Sequence, residues 1–401
     1  MVIELKHVKI IMTALLITAL VSGCISDGGD QDDATKVELV YMAGCGTMPS
    51  SLANNQLDAY FAWQPLVSVG EIAGVGKVIT YSQDLPPSGQ WDNHPCCSLV
   101  ATDDFIEGDP ELAAYMTTLL MYADEYIGTH MEETAEYCAE WLFGGDDLTL
   151  GDITVDSVSV EQHSIDTITF VTEPTQAWKQ NVYDFVHSLE EIELVSDSLA
   201  SKTDEELEDL LFKEDIYEAA QAMAFTKSHL DTAPAETGGK ITVGYLPSDH
   251  DAALFVAAYD WEYFRDEYGI YLRPVEEKQT YTLVVNETDV ATVTLVEFAG
   301  GSAAMTSASQ GNIDYCIIGV PPAILFMDQG APVSIICPVQ TEGSGIVVPI
   351  DAPYDDWQGF VEYAKEQYSQ GNTLKIGDPM IGSIQDVMLK YALSESGLEY
   401  E

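Results

Sequence analysis

The 401-residue sequence predicts an α/β fold built from repeated βα units, circularly permuted so that one unit is split between the two chain ends. Three observations carry this. Displaced by 256 residues (293 minus 37), the stretch from Val37 lies without a gap on the stretch from Val293. Val37/Val293, Leu39/Leu295, Ala43/Ala299, Gly44/Gly300, Asp58/Asp314, Pro65/Pro321 and Gly74/Gly330 coincide. A second pairing sets KITVGYLPSDHDAALF, from Lys240, on TLKIGDPMIGSIQDVM, from Thr373. Finally, the opening unit of one copy directly precedes its continuation, whereas the other copy opens at 373–401 and continues at 37–79.

Each repeated stretch reads as an apolar strand, a Gly-rich turn, an amphipathic helix, an Asp-bearing turn, a second apolar strand, then Pro and another helix. Ser248 and Ser383 stand where an N-cap is wanted. Permutation would place the new ends in a loop between a helix ending near Gly397 and a strand starting near Val37, with the old ends joined through HLDTAPAETGG at 229–239. Fusion of the tail of one paralogue to the head of another explains the same order. Both accounts require Glu401 and Val37 to be neighbours, within roughly 15 Å.

Lys plus Arg number 15 against 67 Asp plus Glu, a formal net charge of −52, which argues against nucleic acid as a partner because no basic patch exists to neutralise phosphates. Such a surface suits salty surroundings, where screening shortens self-repulsion. The first residues have Lys6 and Lys9, an apolar run from Ile10 to Val21, then Ser22-Gly23-Cys24. That run is too short to span a bilayer and reads as an export signal over 1–23. Leu20-Val21-Ser22-Gly23-Cys24 resembles a lipobox, which implies cleavage before Cys24 and lipid attachment to its sulfur, with 24–36 as a tether. The remaining cysteines do not space as a disulfide framework.

Six motifs, GYLPSDHDAALFVA (244–257), GNIDYCIIGVPPAILF (311–326), TEGSGIVV (341–348), GDPMIGSIQDVML (377–389), LDAYFAWQP (57–65) and HPCCSLVATDDFI (94–106), resemble the solute-binding lipoproteins of nitrate/sulfonate/taurine-type ABC importers, a family that includes binders of thiamine-precursor pyrimidines. The resemblance implies a type II periplasmic-binding-protein fold: two α/β lobes, each a five-stranded mixed sheet, closing on ligand by a hinge. Lobe 1 is then expected at 240–350 with a helical part at 104–225, lobe 2 at 351–401 with 37–103, and a linker at 226–239. Hinges are expected near Val348 to Ala352 and Val100 to Asp104. An extra hairpin is expected to turn at Asn286-Glu287.

Ligands of open α/β sheets sit beyond the carboxyl ends of strands, at helix N-termini whose free N–H groups suit an anion. Candidate contacts are therefore Ser248, Asp249 and His250; Gly300, Gly301 and Ser302; Gly382 and Ser383; and Val320 at a further helix start. Trp63 and Gln64 offer an aromatic wall and a polar contact, while Thr341 and Glu342 lie near a hinge. Glu342 and Asp249 also suit a cationic group of a ligand. His94 and Cys96, with Cys97, are soft-donor candidates, but they lack the paired spacing of a structural zinc site. No nucleophile elbow, P-loop or His-Glu metal helix appears, and no cofactor is called for. The expectation is a lipid-anchored binding component on the outer face of the cytoplasmic membrane. It captures a small anion or heterocycle for an ABC permease and its ATPase; the alternative is an enzyme or metal-binding protein built on His94, Cys96 and Cys97.

Overall fold

A computed structural model describes residues 34–224 and 238–401. The proposed signal, Cys24, most of the tether and most of the 226–239 junction lie outside the described residues. In chain order the strands are β1 (Thr35–Tyr41), β2 (Ala59–Trp63), β3 (Gly76–Tyr81), β4 (Pro95–Thr102), β5 (Leu148–Leu150), β6 (Ile153–Val155), β7 (Ile168–Phe170) and β8 (Gly239–Tyr245). They continue as β9 (Ile270–Glu276), β10 (Thr280–Val285), β11 (Thr288–Glu297), β12 (Tyr315–Gly319), β13 (Val333–Glu342), β14 (Ser344–Pro349), β15 (Leu374–Asp378) and β16 (Leu398–Tyr400). Six of them form one mixed sheet, ordered β16-β1-β15-β2-β14-β3, and eight form another, ordered β7-β13-β4-β12-β8-β11-β10-β9. This is the two-lobed α/β architecture expected, with larger sheets than the five strands anticipated for each.

The two chain ends meet inside the six-stranded sheet. Strand β1 runs parallel to both β15 and β16, with Val37 opposite Leu374 on one side and Tyr400 on the other. Glu401 N–H donates to the Val37 carbonyl at 3.0 Å and Leu39 N–H to the Glu401 carbonyl at 2.9 Å. Hydrogen-bonding distance is far inside the expected separation. The repeat is equally plain, since a shift of 256 carries Ala59–Trp63 onto Tyr315–Gly319, which are strands β2 and β12. Copies placed in different sheets keep the same order because each buries the same apolar stripe against its own helices.

Beneath the join lies a buried polar cluster. Ser383 caps the helix Ile384–Glu395, its Oγ accepting the Asp386 N–H. The Asp386 carboxylate, itself fully buried, accepts from Lys390 Nζ at 2.8 and 3.0 Å, from Tyr41 Oη at 3.0 Å and from the Gly382 N–H at 2.7 Å. Lys390 also lies over the Tyr41 and Tyr400 rings. One ammonium thus touches residues from both chain ends.

Two boundaries differ from expectation. Strand β4 belongs to the eight-stranded sheet and β14 to the six-stranded one. The chain therefore changes sheets between Tyr81 and Pro95 and again at Glu342-Gly343-Ser344, not near 100–104 and 348–352. Apolar strand runs look alike on either side of a crossing, so hydropathy alone does not mark it. The second crossing is made by two consecutive left-handed residues, Glu342 (φ 68°) and Gly343 (φ 76°). The hairpin at Asn286-Glu287 is found as expected: both residues have positive φ, the requirement of a two-residue turn whose twist matches its strands.

The helix Pro110–Ile127 carries a partly buried acid. Burial pushes the Asp124 carboxyl up to about 7, and its Oδ1 is enclosed without a hydrogen-bond partner. A carboxyl raised on folding keeps in the native state a proton that the unfolded chain has lost. Its contribution is therefore present below about pH 4 and is lost as pH rises to about 7, by roughly 4 kcal/mol at most. Urea unfolding at pH 5 and pH 8 is expected to show Asp124→Asn gaining on the natural chain at the higher pH. An equal difference at both values would refute the assignment.

Candidate functional site

Four helix starts converge where the sheets face each other. The 3-10 turn Asp249–Asp251 and the helices Gly301–Ser309, Val320–Asp328 and Ile384–Glu395 begin beyond the carboxyl ends of β8, β11, β12 and β15. Between them is a cavity of about 40 Å³, walled by Trp63, Cys96, Cys97, Ser248, His250 and Met380, among others. At ~10–15 Å³ per water, it has room for about three waters. No lysine or arginine is among its lining residues.

The lobes are tied across this cavity by short polar contacts. Ser248 Oγ donates to the Gln64 carbonyl at 2.9 Å between the lobes, while Gln385 Nε2 donates to Ser344 Oγ at 2.8 Å within the six-stranded one. The Gly343 carbonyl at the crossing accepts from the Gln64 N–H and from His250 Nε2, each at 3.0 Å. Because a carbonyl only accepts, Nε2 carries a proton, and Nδ1 is the ring atom that meets the thiols. It stands 3.5 Å from Cys96 Sγ and 3.7 Å from Cys97 Sγ.

Burial opposes ionisation of both this ring and the Cys96 thiol. Donation from the Cys97 thiol and the charge of His250 outweigh it, holding Cys96 well below the ordinary thiol range. Cys97 is pushed far up, first by that same hydrogen bond and then by burial. For His250, burial lowers and the neighbouring Cys96 raises; the result is a rise. Two sulfurs and an imidazole thus form a buried, soft-donor corner.

Of the candidate contacts, Trp63, Cys96, Ser248, His250, Gly301 and Ser383 line the cavity. Gly300 stands behind the wall, where a Cβ would sit 2.1 Å from Met380 Cε; its bareness lets lobe 2's Met380 reach the cavity. Gly382 (φ 76°) shapes the same loop and donates to Asp386. Others are corrected. Asp249 is turned away and accepts from Ser164 Oγ in a second buried cluster with Glu161 and Cys138, so it meets no ligand cation in the cavity. Gln64 spends its amide on the Ser68 N–H and Thr167 Oγ1. Ser302 is exposed and Val320 is packed in the core.

Thr341 faces a separate groove with Asp92, Asn93 and Trp178. Glu342 is half-buried at the crossing, its carboxyl raised by burial and accepting from the Asn93 backbone. His94 is bound to the Trp91 carbonyl through Nδ1 at 3.0 Å and is not in the cavity wall. The imidazole that joins the cysteines is His250, 154 residues from Cys96, a separation no local spacing rule spans. Leu246, Gly319, Pro322, Met380, Ile384 and Gln385 also line the cavity without having been singled out, although all six fall within the quoted motifs that hold Ser248, Val320 and Ser383.

Trp63 has cavity on one side and, on the other, a vestibule of about 330 Å³ lined by residues 42–47, Leu66, Pro247, Glu297 and Ala299. It is the partition between the two. The NMT1-like family model matches residues 16–143 and 234–401, about three-quarters of the chain and every cavity-lining residue. The chain belongs to the NMT1-like family. Membership in this nitrate/sulfonate/taurine-binding type, with the two-lobed fold, supports a solute-binding role rather than an enzymatic one. Similarity also extends to the uncharacterized protein MJ1180 of Methanocaldococcus jannaschii, 39% identical over 103 residues, 25% of this chain and 71% of that protein. Among solved structures, a histidine kinase sensor domain with similarity to periplasmic binding proteins is 12% identical with a TM-score of 0.18. That match covers 36% of this chain and spans about half, 52%, of the sensor chain.

Proposed function

We propose that this family member is the extracytoplasmic solute-binding component of an ABC importer, held on the outer face of the cytoplasmic membrane by lipid on Cys24. It captures a small solute between its lobes and presents the closed form to a permease and its ATPase. The observation that carries this reading is the cavity itself: it is walled by helix starts from both lobes and spanned by the Ser248–Gln64 bond, with His250 bonded to Gly343 at the crossing between them. The Ser248–Gln64 contact forms only when the lobes are together, so a solute that completes the cavity favours the closed population. The paired end strands fit permutation and paralogue fusion equally as the origin of the split unit.

A thermal-shift screen over nitrate, sulfonates, carboxylates, pyrimidines and metal ions tests capture, with small-angle scattering reporting closure. A solute at a hundred times its Kd stabilises the folded chain by about 2.7 kcal/mol. Trp63→Ala is expected to weaken that solute at least ~10-fold, about 1.4 kcal/mol, by joining the cavity to the vestibule. If no class raises the melting temperature or contracts the molecule, capture is refuted.

A further inference from the structure

We propose that the cargo of this cavity is a single soft metal ion of the copper(I) type, bound by the sulfurs of Cys96 and Cys97 and by Nδ1 of His250. This rests on the capture reading and names its substrate class. The three donor atoms lie within 4.8 Å of one another, and all three residues are buried. Donors around one ion at bond lengths of roughly 2.0–2.3 Å stand about 3.5–3.8 Å apart. The observed sulfur–nitrogen separations of 3.5 and 3.7 Å match that spacing.

The surroundings select the same chemistry. His250 gives its other ring nitrogen to the Gly343 carbonyl, the outer contact by which a metal-binding imidazole is oriented. Met380, brought in from the opposite lobe, adds a thioether to the wall, and thiolate with thioether favours copper(I) over hard cations. A small anion finds no lysine or arginine in the lining, and a cavity with room for about three waters is small for a ring. As the ion enters, the protons held among the sulfurs and Nδ1 leave to water. No electron moves, because the metal arrives already as copper(I). The Gly343 contact couples the loaded imidazole to the crossing between the lobes.

The test is anaerobic titration of the full chain with copper(I) held by a chromophoric chelator. One ion per chain should be withdrawn, with X-ray absorption showing sulfur and nitrogen neighbours. Cys96→Ser and Cys97→Ser are each expected to weaken uptake more than ~100-fold, beyond the effect of losing an outer contact. Met380→Leu, which keeps the wall apolar, should weaken it less and serves as the readout if a serine variant fails to fold by circular dichroism. No withdrawal by the natural chain, full uptake by the double serine variant, or zinc binding as tightly as copper(I) would each overturn the proposal. Stabilisation and closure by an organic or inorganic anion alone would leave capture standing and remove the metal. Stoichiometric copper(I) without contraction of the molecule would instead keep the site and remove capture.

Discussion

Gly343→Ala is expected to destabilise the chain by about 3 kcal/mol and to abolish its response to solute. The residue turns the chain between sheets at φ 76°, a conformation that costs a side-chain-bearing residue about 1–2 kcal/mol. Its new Cβ would also lie 2.7 Å from His250 Nε2 and 2.8 Å from Ile168 Cγ1, too close for either to stay in place. The same residue's carbonyl holds both Gln64 and His250, so the displacement reaches the cavity directly. Urea unfolding measures the first effect and thermal shift the second. A variant within ~0.5 kcal/mol of the natural chain would show that the crossing relaxes freely.

Lys390→Met is expected to cost still more of the fold, about 3–5 kcal/mol, the range for breaking a buried pair by removing one partner. It would strand the buried Asp386 carboxylate beside Asp378, whose two oxygens have no hydrogen-bond partner and whose carboxyl is pushed far up, first by burial and then by Asp386. The loss falls on the sheet that joins the chain ends, because Tyr41 and Tyr400 flank the ammonium. Adding Asp386→Asn should restore part of the stability, a coupling that a double-mutant cycle measures. Additive losses would show that the pair contributes independently.

The split unit was readable because a repeat needs only a register: once Ala59–Trp63 falls on Tyr315–Gly319, the neighbours of each strand follow. The hairpin at Asn286-Glu287 was likewise a local matter of turn chemistry. The sheet crossings were not readable, since the polar turn Thr341-Glu342-Gly343-Ser344 between β13 and β14 looks like any strand-to-strand turn, and only the fold shows that the consecutive positive φ values at Glu342 and Gly343 carry the chain into the other sheet. At the site, Ser248, Gly301 and Ser383 were legible as helix starts. The partner of the cysteines was misjudged, because His94 is adjacent in sequence but bonded to Trp91, whereas His250 arrives from another strand end.

The linear order of residues determined the kind of units present, their duplication and which end completes which, since apolar periodicity and turn residues act over a few neighbours. Tertiary structure decided which polar side chains face a shared space. Asp249 and His250 are consecutive, yet one is spent on Ser164 and the other on Gly343 and two sulfurs. Direction in space depends on what packs behind each residue, and that neighbour comes from distant chain.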